Sequence, residues 1–398
     1  MTSTATAEDK QIVLERIAEL LANFPPGSMP DEDFLGAQFD SGLAYVHFPL
    51  GFGGLGLSRD LEPLIVTRLT EAGAPITTGR SVGHLAAPTI MAFGTEEQKR
   101  RYLRPLFTCE EVWCQLFSEP GAGSDLAGLR TRAVRDGDDW VINGQKVWTT
   151  LAHVAHFGML LARTDPDVEK HKGITYFIAD MNAPGVEVRP LRQMTGEATF
   201  NEVYLSDVRI PDRQRLSAVG EGWRAVNTTL MNERVAFMSH TIARRGSGPI
   251  GQAVGLWKSR DSHDAVLRER LMRLWVSAEV NRLTGLRAGT NLASGNPGPE
   301  GSIGKLAYAE LAQDIYDFCM DLLGPEGMLY DTYEMRRPKD VSMVKDDPFA
   351  RMFLRSRSNS ISGGTSEIMR NILGERVLGL PGDVRADKGI PWSQVPHS

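Results

Sequence analysis

The spacing of apolar residues changes twice along the chain, and this constrains the fold more than any other feature of the sequence. Four segments near the N-terminus have apolar residues at helical spacing: residues 11–24, 61–72, 82–92 and 96–107. Between residues 112 and 212 the pattern becomes one of short strands separated by turn residues, and from Gly222 the helical period returns. This order predicts a mainly α-helical chain with one compact middle β unit, a small barrel or sandwich. The predicted domains cover residues 1–111, 112–220 and 221–398.

Local signals refine this prediction. Thr95, followed by two acidic residues, is typical of a helix start. Asn143-Gly144 lies between two strand-like runs and predicts a β-hairpin turn. Long helices are predicted near the C-terminus over residues 224–246, 264–292, 302–323 and 346–376, with a loop at 296–301.

Composition excludes several classes of protein. The net charge is −6 and no basic run occurs, so binding to nucleic acid or to an anionic membrane is not expected. The three cysteines are too few and too scattered for a disulfide framework or a zinc site, and no metal site is expected. The first ten residues lack the apolar segment of a secretory signal, and no apolar run reaches the roughly 20 residues that span a bilayer. The expectation is a cytoplasmic enzyme.

Residues 51–56 (GFGGLG) match the glycine pattern of a dinucleotide-binding loop. A strand-like segment at 43–47 precedes them and a helical segment follows. The second strand of a βαβ unit, ending in an acidic residue, is missing. The segment is therefore interpreted as a glycine-rich connection between helices.

Three segments together resemble motifs of the acyl-CoA dehydrogenase family, in the family's order and at its spacing. They are residues 117–125 (FSEPGAGSD) with 143–150 (NGQKVWTT), residues 232–235 (NERV) and residues 361–373 (ISGGTSEIMRNIL). The resemblance covers nearly the whole chain. It implies an N-terminal helical domain, a middle β-barrel and a C-terminal four-helix bundle. It also implies FAD as the cofactor, an acyl-CoA thioester as the substrate, a trans-2-enoyl-CoA product and an electron-transfer flavoprotein as the electron acceptor.

The resemblance assigns cofactor contacts to eight residues: Phe117 (through its backbone), Ser118, Gly123, Ser124, Trp148, Thr150, Thr365 and Glu367. Phe117 and Ser118 would hydrogen-bond the flavin ring, and Trp148 would lie against it with Thr150 near its N5 atom. The glycines of the first motif suit a loop whose backbone N–H groups approach a ligand closely. Without the resemblance, the loop would be a plain turn and Trp148 a core aromatic of a strand.

Dehydrogenation of a thioester requires a carboxylate near the α-carbon and hydrogen-bond donors for the charge that develops on the thioester oxygen. The resemblance assigns the donors to the ribityl 2′-hydroxyl of FAD and the backbone N–H of Gly363. Many family members carry the base as Glu in a Tyr-Glu-Gly-Thr motif. Here that motif is Ser362-Gly363-Gly364-Thr365, so it supplies no base. A second branch, including the isovaleryl and long-chain enzymes, takes its Glu from a Glu-Arg pair on a helix.

Glu233-Arg234 occupies that position in this sequence. Glu233 shares a predicted helix face with mostly apolar residues, so its carboxylate would lose hydration and its pKa is expected to rise. Arg234 is expected to hold the local geometry, and together with Gly363 and Ser124 it completes the predicted substrate contacts. The alternative is that Glu233 is a solvated helix acid paired with a neighbour.

Two departures from the family concern the neighbouring subunit. Homotetrameric members reach a neighbour's FAD pyrophosphate with an Arg-x-x-Phe-Gly segment, but residues 257–263 read WKSRDSH here. Asp321 replaces the Gln of a Gln-x-x-Gly-Gly motif. The hypothesis is that the chain binds its own flavin but depends on a different chain to complete the site, as in an α2β2 heterotetramer. A homotetramer or other homo-oligomer that uses other side chains, such as Arg260, is the alternative.

Two other functions stay open at this point. One is a flavin-dependent acyl-CoA oxidase or monooxygenase on the same fold. The other is a supporting, non-catalytic subunit of a heteromeric dehydrogenase, which the retention of Glu233 and of the 117–125 loop disfavours. Ser362 and Gly363 replace bulkier family residues and indicate a wide or branched acyl group.

Overall fold

The structure is a computed structural model that describes residues 5–75, 77, 83–241, 244–260, 264–293, 299–340, 347–385 and 387–396. For the helical residues 84, 233–241 and 289–293 it describes the backbone alone. None of the helices in these ranges combines the length and the apolar character that crossing a bilayer requires.

Helices form the N-terminal part of the chain, the four that the apolar spacing predicted and one further helix, α2, that it did not. Their bounds are α1 Ala7–Asn23, α2 Asp31–Asp40, α3 Glu62–Glu71, α4 Gly83–Phe93 and α5 Glu96–Thr108. Thr95 caps α5: its hydroxyl accepts from the Gln98 N–H, and the Gln98 side chain accepts from the Thr95 N–H in return. The predicted helix start is confirmed.

The glycine-rich segment 51–56 joins α2 to a short 3-10 helix, Arg59–Leu61, and then to α3. Residues 41–58 form turns, so the strand-like pattern at 43–47 does not become a strand. The turns are held by local backbone hydrogen bonds, such as those from the Ala44 and Tyr45 N–H groups to the Gly53 carbonyl. The interpretation of this segment as a connection between helices is confirmed.

Eight strands form one mixed sheet in the middle of the chain. They are β1 Trp113–Leu116, β2 Arg132–Asp136, β3 Asp139–Thr150, β4 Phe157–Arg163, β5 Ile174–Asp180, β6 Val186–Leu191, β7 Phe200–Pro211 and β8 Arg215–Leu216. Their order is β6-β7-β3-β2-β4-β5-β8, with β1 added in parallel to β4.

The predicted β-barrel is wrong, because this sheet is open. Its ends are β6 and the two-residue β8, which are not paired with each other. A two-residue strand offers too few hydrogen-bonding groups to close a barrel. Helices cover one face instead: α6 packs against β5 and α4 against β1, and their apolar residues share a core with those strands.

The predicted hairpin turn at Asn143-Gly144 is also wrong. The turn between β2 and β3 lies at residues 137–138, and β3 continues through residues 143 and 144 with a shift of register against β7. Asn143 exchanges hydrogen bonds with Asp207, at 3.0 Å to its backbone N–H and 2.9 Å to its carboxylate. A Cβ on Gly144 would lie 2.4 Å from the Thr131 Oγ1 atom, so this glycine permits close strand packing.

The C-terminal part is helical, with α6 Gly222–Thr241, α7 Pro249–Ser259, α8 Ala265–Ala293, α9 Glu300–Leu323, α10 Phe349–Ser356 and α11 Ser366–Asn371. The helices predicted at 264–292 and 302–323 are confirmed. The helix predicted at 224–246 ends earlier, and the one predicted at 346–376 is divided by a 3-10 turn, Arg357–Ser360, and the Ser-Gly-Gly-Thr turn. Residues 296–298 of the predicted loop at 296–301 lie outside the described residues, whereas residues 300 and 301 already belong to α9.

Candidate active site

The first motif leaves β1 as a loop whose start is buried. The Phe117 ring is buried and lies edge-to-face on Tyr176, with ring centroids 5.8 Å apart. Its carbonyl accepts a hydrogen bond from the Lys146 ammonium at 3.1 Å. The Ser118 carbonyl accepts from the Val147 N–H at 2.9 Å. The loop is therefore joined to β3 at two successive residues.

A buried ion pair holds this loop. The Lys146 ammonium, fully buried in β3, lies 2.7 Å from a carboxylate oxygen of Glu119. The Glu119 carboxylate also accepts from the backbone N–H groups of Arg130 and Thr131, at 2.6 and 2.9 Å. Burial alone would raise the pKa of Glu119, but Lys146 and these donors outweigh it and lower that pKa. Burial lowers the pKa of Lys146 against the attraction of Glu119.

This pair fixes the direction of the peptide between Phe117 and Ser118. Because a trans peptide is planar, the Ser118 N–H points away from the Phe117 carbonyl and so away from Lys146. Further along the loop, Gly123 and Ser124 are exposed. A Cβ on Gly123 would meet no atom within 4 Å. The loop thus offers backbone groups with open space around them.

Trp148 and Thr150 lie where β3 departs from regular geometry. The register with β7 shifts between Lys146 and Thr149, and Trp148 has φ of 59°. The indole is 59% exposed and lies edge-to-face with Phe200, although its neighbours Val147 and Thr149 are buried. Trp148 is therefore not the core aromatic that its strand position alone would suggest.

The third motif is a turn whose backbone carbonyls accept hydrogen bonds from a buried lysine. Gly363 and Gly364 have φ of 65° and 96°. Lys305, buried on α9, donates to the Gly364 carbonyl, and to the Asn359 carbonyl at 2.9 Å. These bonds fix both ends of the turn that contains the Gly363 N–H.

Thr365 caps α11, its hydroxyl accepting from the Ile368 N–H at 3.2 Å. Glu367, in the first turn of that helix, is exposed. Its own backbone N–H and the Thr365 hydroxyl lower the pKa of its carboxyl. Among the described residues, no hydrogen bond or ion pair joins these two residues to the 117–125 loop.

Glu233 and Arg234 lie on α6, and their side chains are outside the described part of the structure. The helix is fixed one turn earlier by Thr229, a buried residue. Its hydroxyl lies 2.8 Å from the Thr89 hydroxyl of α4 and 3.3 Å from the Tyr176 hydroxyl of β5. Positions four residues apart share a helix face, so the backbone places Glu233 on the face that turns toward α4 and β5.

Direct contacts join the 117–125 loop to this helix. Phe117 packs on Tyr176, and the Tyr176 hydroxyl bonds Thr229, one turn before Glu233. Helix α9 packs against α6 and, through Lys305, holds the Gly363 turn. Two of the three sequence motifs are therefore linked to the Glu233 helix by contacts of described side chains or helices.

Sequence inspection missed Lys146 with Glu119, and also Lys305. Strand alternation could have found Lys146, because it continues the inward face of Trp140, Ile142 and Gly144 along β3. Lys305 falls among small residues of a helix that also carries several acidic side chains, and it gives no comparable sequence signal.

Three family models match successive parts of the chain. The models are described as the N-terminal, middle and C-terminal domains of acyl-CoA dehydrogenase, and they match residues 7–110, 114–208 and 220–378. The chain belongs to the acyl-CoA dehydrogenase family. Members of this family are FAD-dependent oxidoreductases of fatty acid and lipid degradation.

Two relatives come from Mycobacterium tuberculosis. The chain is 38% identical to acyl-CoA dehydrogenase IpdE1, over 87% of this chain and 86% of that protein. It is 40% identical to acyl-CoA dehydrogenase FadE34 over 89% of this chain, but it spans only 47% of FadE34.

Solved acyl-CoA dehydrogenase structures share the fold. The Tcur3481-Tcur3483 steroid ACAD aligns with a TM-score of 0.72 and 26% identity, over 95% of this chain and 99% of that one. The ChsE4-ChsE5 complex from Mycobacterium tuberculosis aligns with a TM-score of 0.70 and 29% identity, over 96% and 100%.

Proposed function

We propose that this chain is an FAD-dependent acyl-CoA dehydrogenase that converts an acyl-CoA thioester to the trans-2-enoyl-CoA, with Glu233 as the base. The observation that carries this proposal is the contact series from Phe117 through Tyr176 to Thr229, which joins the flavin loop to the helix of the base. It gives Glu233 a fixed backbone position beside the motif that the family uses for its cofactor.

The residues of the first motif fit a flat cofactor held through backbone groups. The exposed face of Trp148 is available for stacking, the Ser118 N–H is directed away from Lys146, and Gly123 leaves room for a diphosphate to approach. Phe117, Ser118, Gly123, Ser124, Trp148, Thr150, Thr365 and Glu367 would hold FAD. When bound, FAD supplies the acceptor for the hydride that leaves the β-carbon.

The chain itself supplies the base and the orientation of the substrate. Glu233 would take the α-proton, while the Gly363 N–H donates to the thioester oxygen as charge develops there. Lys305 keeps that N–H in place through the Gly364 and Asn359 carbonyls. Arg234 and Ser124 would contact the thioester or its CoA part. The buried contacts of Thr229 with Thr89 and Tyr176 keep water from this side of α6.

The acyl group is proposed to be bulky. Ser362 and Gly363 stand where the family carries larger side chains, and the break between α6 and α7 leaves a cleft in the helical part. The small residues leave space beside Gly363, and the cleft is a separate cavity lined by residues of α7, α8 and α9. A solved structure that resembles this chain is described as a steroid ACAD, which is consistent with a large acyl group.

A different chain is proposed to complete the FAD site. Arg260, the side chain that could have replaced the missing motif arginine, forms an ion pair with Glu326 of its own chain. Asp321 forms one with Arg270. Because Arg260 and Asp321 are each paired within their own chain, neither is available to bind a neighbour's diphosphate, which disfavours a second copy of this chain as the partner. The structure described as the ChsE4-ChsE5 complex is an example of two different chains on this fold.

Helix α8 offers a surface for such a partner. Five apolar residues lie exposed along one of its faces: Met272, Val276, Val280, Leu283 and Leu286. Apolar stripes of this kind on a helix are typical of contacts between subunits. We propose that this stripe is the contact between the two chain types of an α2β2 assembly.

The proposed electron acceptor is an electron-transfer flavoprotein.

Anaerobic addition of acyl-CoA thioesters to the FAD-loaded protein tests the reaction class. A dehydrogenase loses its flavin absorbance on adding substrate and regains it only with a separate electron acceptor. Rapid recovery in air would instead identify an oxidase or monooxygenase. A protein that binds no FAD, alone or with a related chain, would be a supporting subunit.

A further inference from the structure

A cleft opens in the helical part between α7, α8 and α9, and residues of the segment between α6 and α7 line it as well. Its walls include the apolar side chains of Ile250, Trp275, Leu311 and Ile315. Arg244 and the ion pair between Glu279 and Arg282, at 2.7 Å, lie among its lining residues. Because that pair neutralises its own charges, the cleft apart from Arg244 suits an uncharged, largely apolar ligand.

One polar group in the cleft lacks a partner. Asn281 of α8 is 7% exposed and lines the cleft, and its Oδ1 atom has no hydrogen-bond partner among the residues that the structure describes. Buried side-chain oxygens of proteins are nearly always satisfied, so this one calls for an explanation. Tyr308 of α9 lines the same cleft, and burial raises the pKa of its phenol, which keeps it a neutral O–H donor.

The cleft and the turn that carries the predicted oxyanion donor are both in contact with helix α9. Asn281 Oδ1 lies 4.0 Å from the position that a Cβ on Gly304 would occupy. The next residue, Lys305, bonds the Gly364 carbonyl, and Tyr308 lies one helical turn further along α9. Lys305 and Tyr308 are three residues apart, about 4.5 Å along the axis of α9, and we take a large acyl group with its thioester at Gly363 to extend along α9 toward this cleft.

We propose that Asn281 is a specificity-determining residue that recognises a hydroxyl group at the far end of a bulky, polycyclic acyl group. A hydroxyl both donates and accepts, so it satisfies the Asn281 oxygen and can accept from Tyr308. An unsubstituted apolar group would fill the cleft but leave the Asn281 oxygen unsatisfied. This inference rests on the proposed dehydrogenase function and adds the substrate class to it.

The test compares three polycyclic acyl-CoA thioesters that differ only at the ring carbon farthest from the thioester: a hydroxyl, an oxo and an unsubstituted form. With the FAD-loaded protein and its partner chain, kcat/KM is expected to be about 10- to 100-fold higher for the hydroxyl form than for the unsubstituted form. Asn281→Leu, of similar volume, should lower kcat/KM for the hydroxyl form to that of the unsubstituted form. Asn281→Ala serves as a second variant should the leucine fail to fold.

Thr284→Val is the matched control, since the Thr284 hydroxyl, nearly one turn further along α8, donates to the Val280 carbonyl of its own helix and is not among the residues that line the cleft. It should keep the preference for the hydroxyl form. A wild-type protein without this preference, an Asn281→Leu variant that keeps it, or a stronger preference for the oxo form would each overturn the inference.

A binding measurement separates this inference from the proposed function. Trp275 lines the cleft, so its fluorescence should respond to the thioesters, with tighter binding of the hydroxyl form, and Trp275→Phe should remove the response. Absence of flavin bleaching by every thioester would contradict the dehydrogenase function. Equal binding of the hydroxyl and unsubstituted forms would contradict the role of Asn281, whatever the outcome for bleaching.

Discussion

Lys146 is a fully buried cation whose two acceptors are the Glu119 carboxylate and the Phe117 carbonyl. A buried ion pair adds little net stability, but removing one partner leaves the other charged and unpaired in the interior. The pair is therefore best understood as a device that fixes the 117–125 loop. At the scale of single residues, it is the feature that most directly connects folding with the proposed cofactor site.

Replacing Lys146 by Met should lower the free energy of unfolding by about 3–5 kcal/mol, because Glu119 loses its counter-charge. Urea unfolding measures this loss, and FAD content should fall as the loop loses its fixed geometry. Lys172→Met is the matched control, since its ion pair with Glu169 is on the surface and should contribute less than about 1 kcal/mol. Equal urea midpoints for Lys146→Met and the wild type would contradict this role.

The stability that Glu119 gains from this pair depends on pH, and the direction follows from its lowered pKa. The pKa of Glu119 is lowered in the folded chain, so its contribution to stability is present above the ordinary glutamate pKa and is lost as the pH falls through the lower, folded value. Lys146→Met should remove most of this acid sensitivity, because Lys146 is the main cause of the lowered pKa.

At the scale of elements, the break between α6 and α7 shapes the helical part. Gly246 has φ of 70°, and a Cβ at this position would lie 2.7 Å from the Trp275 ring. Gly248 and Pro249 then begin α7. This break forms one side of the cleft that contains Asn281.

Gly246→Ala should lower the free energy of unfolding by about 1–3 kcal/mol, because it adds both left-handed strain and a clash with Trp275. Gly248→Ala shares the strain but meets no atom within 4 Å, so it should cost less. Gly255→Ala, inside α7 and free of contacts, should be neutral or stabilising. Urea unfolding of the three variants tests this order, and a Gly246→Ala variant as stable as Gly255→Ala would contradict it.

The elements also show how far the sequence could predict the structure. Apolar spacing and the Thr95 cap identified the N-terminal helices because both signals are local. The Asn143-Gly144 prediction failed because tertiary contacts with Asp207 and Thr131 explain these residues without a turn. The barrel prediction failed because closure depends on the length of β8 and on the helices that cover the sheet, neither of which a strand's own sequence encodes.

For the candidate site, motif resemblance drew attention to the 117–125 loop, the helix that carries Glu233 and the Gly363 turn. It could not indicate that the buried side chains of Lys146 and Lys305 fix the 117–125 loop and the Gly363 turn. These hydrogen bonds join residues far apart in sequence. Asn281 carries no motif, and only the cleft around it draws attention to its unpaired oxygen.

At the scale of the whole molecule, the account predicts dependence on a second, related chain. Expressed alone, the protein should contain clearly less than one FAD per chain, and co-expression with a related family member should give a 1:1 complex with raised FAD content. Val276→Glu, in the α8 stripe, should prevent co-purification. Val134→Glu, at an exposed position on β2, should leave it intact. Full FAD occupancy of the chain alone would contradict the need for a partner.

The identity of the base is the central claim, and rapid anaerobic mixing with substrate tests it most directly. The FAD-loaded wild type and Glu233→Gln are mixed with the same acyl-CoA thioester, and the loss of flavin absorbance is followed in time. Equal FAD content is expected in both proteins, with bleaching at least about 10²-fold slower in Glu233→Gln. Bleaching of the variant at nearly the wild-type rate would contradict the assignment of Glu233 as the base.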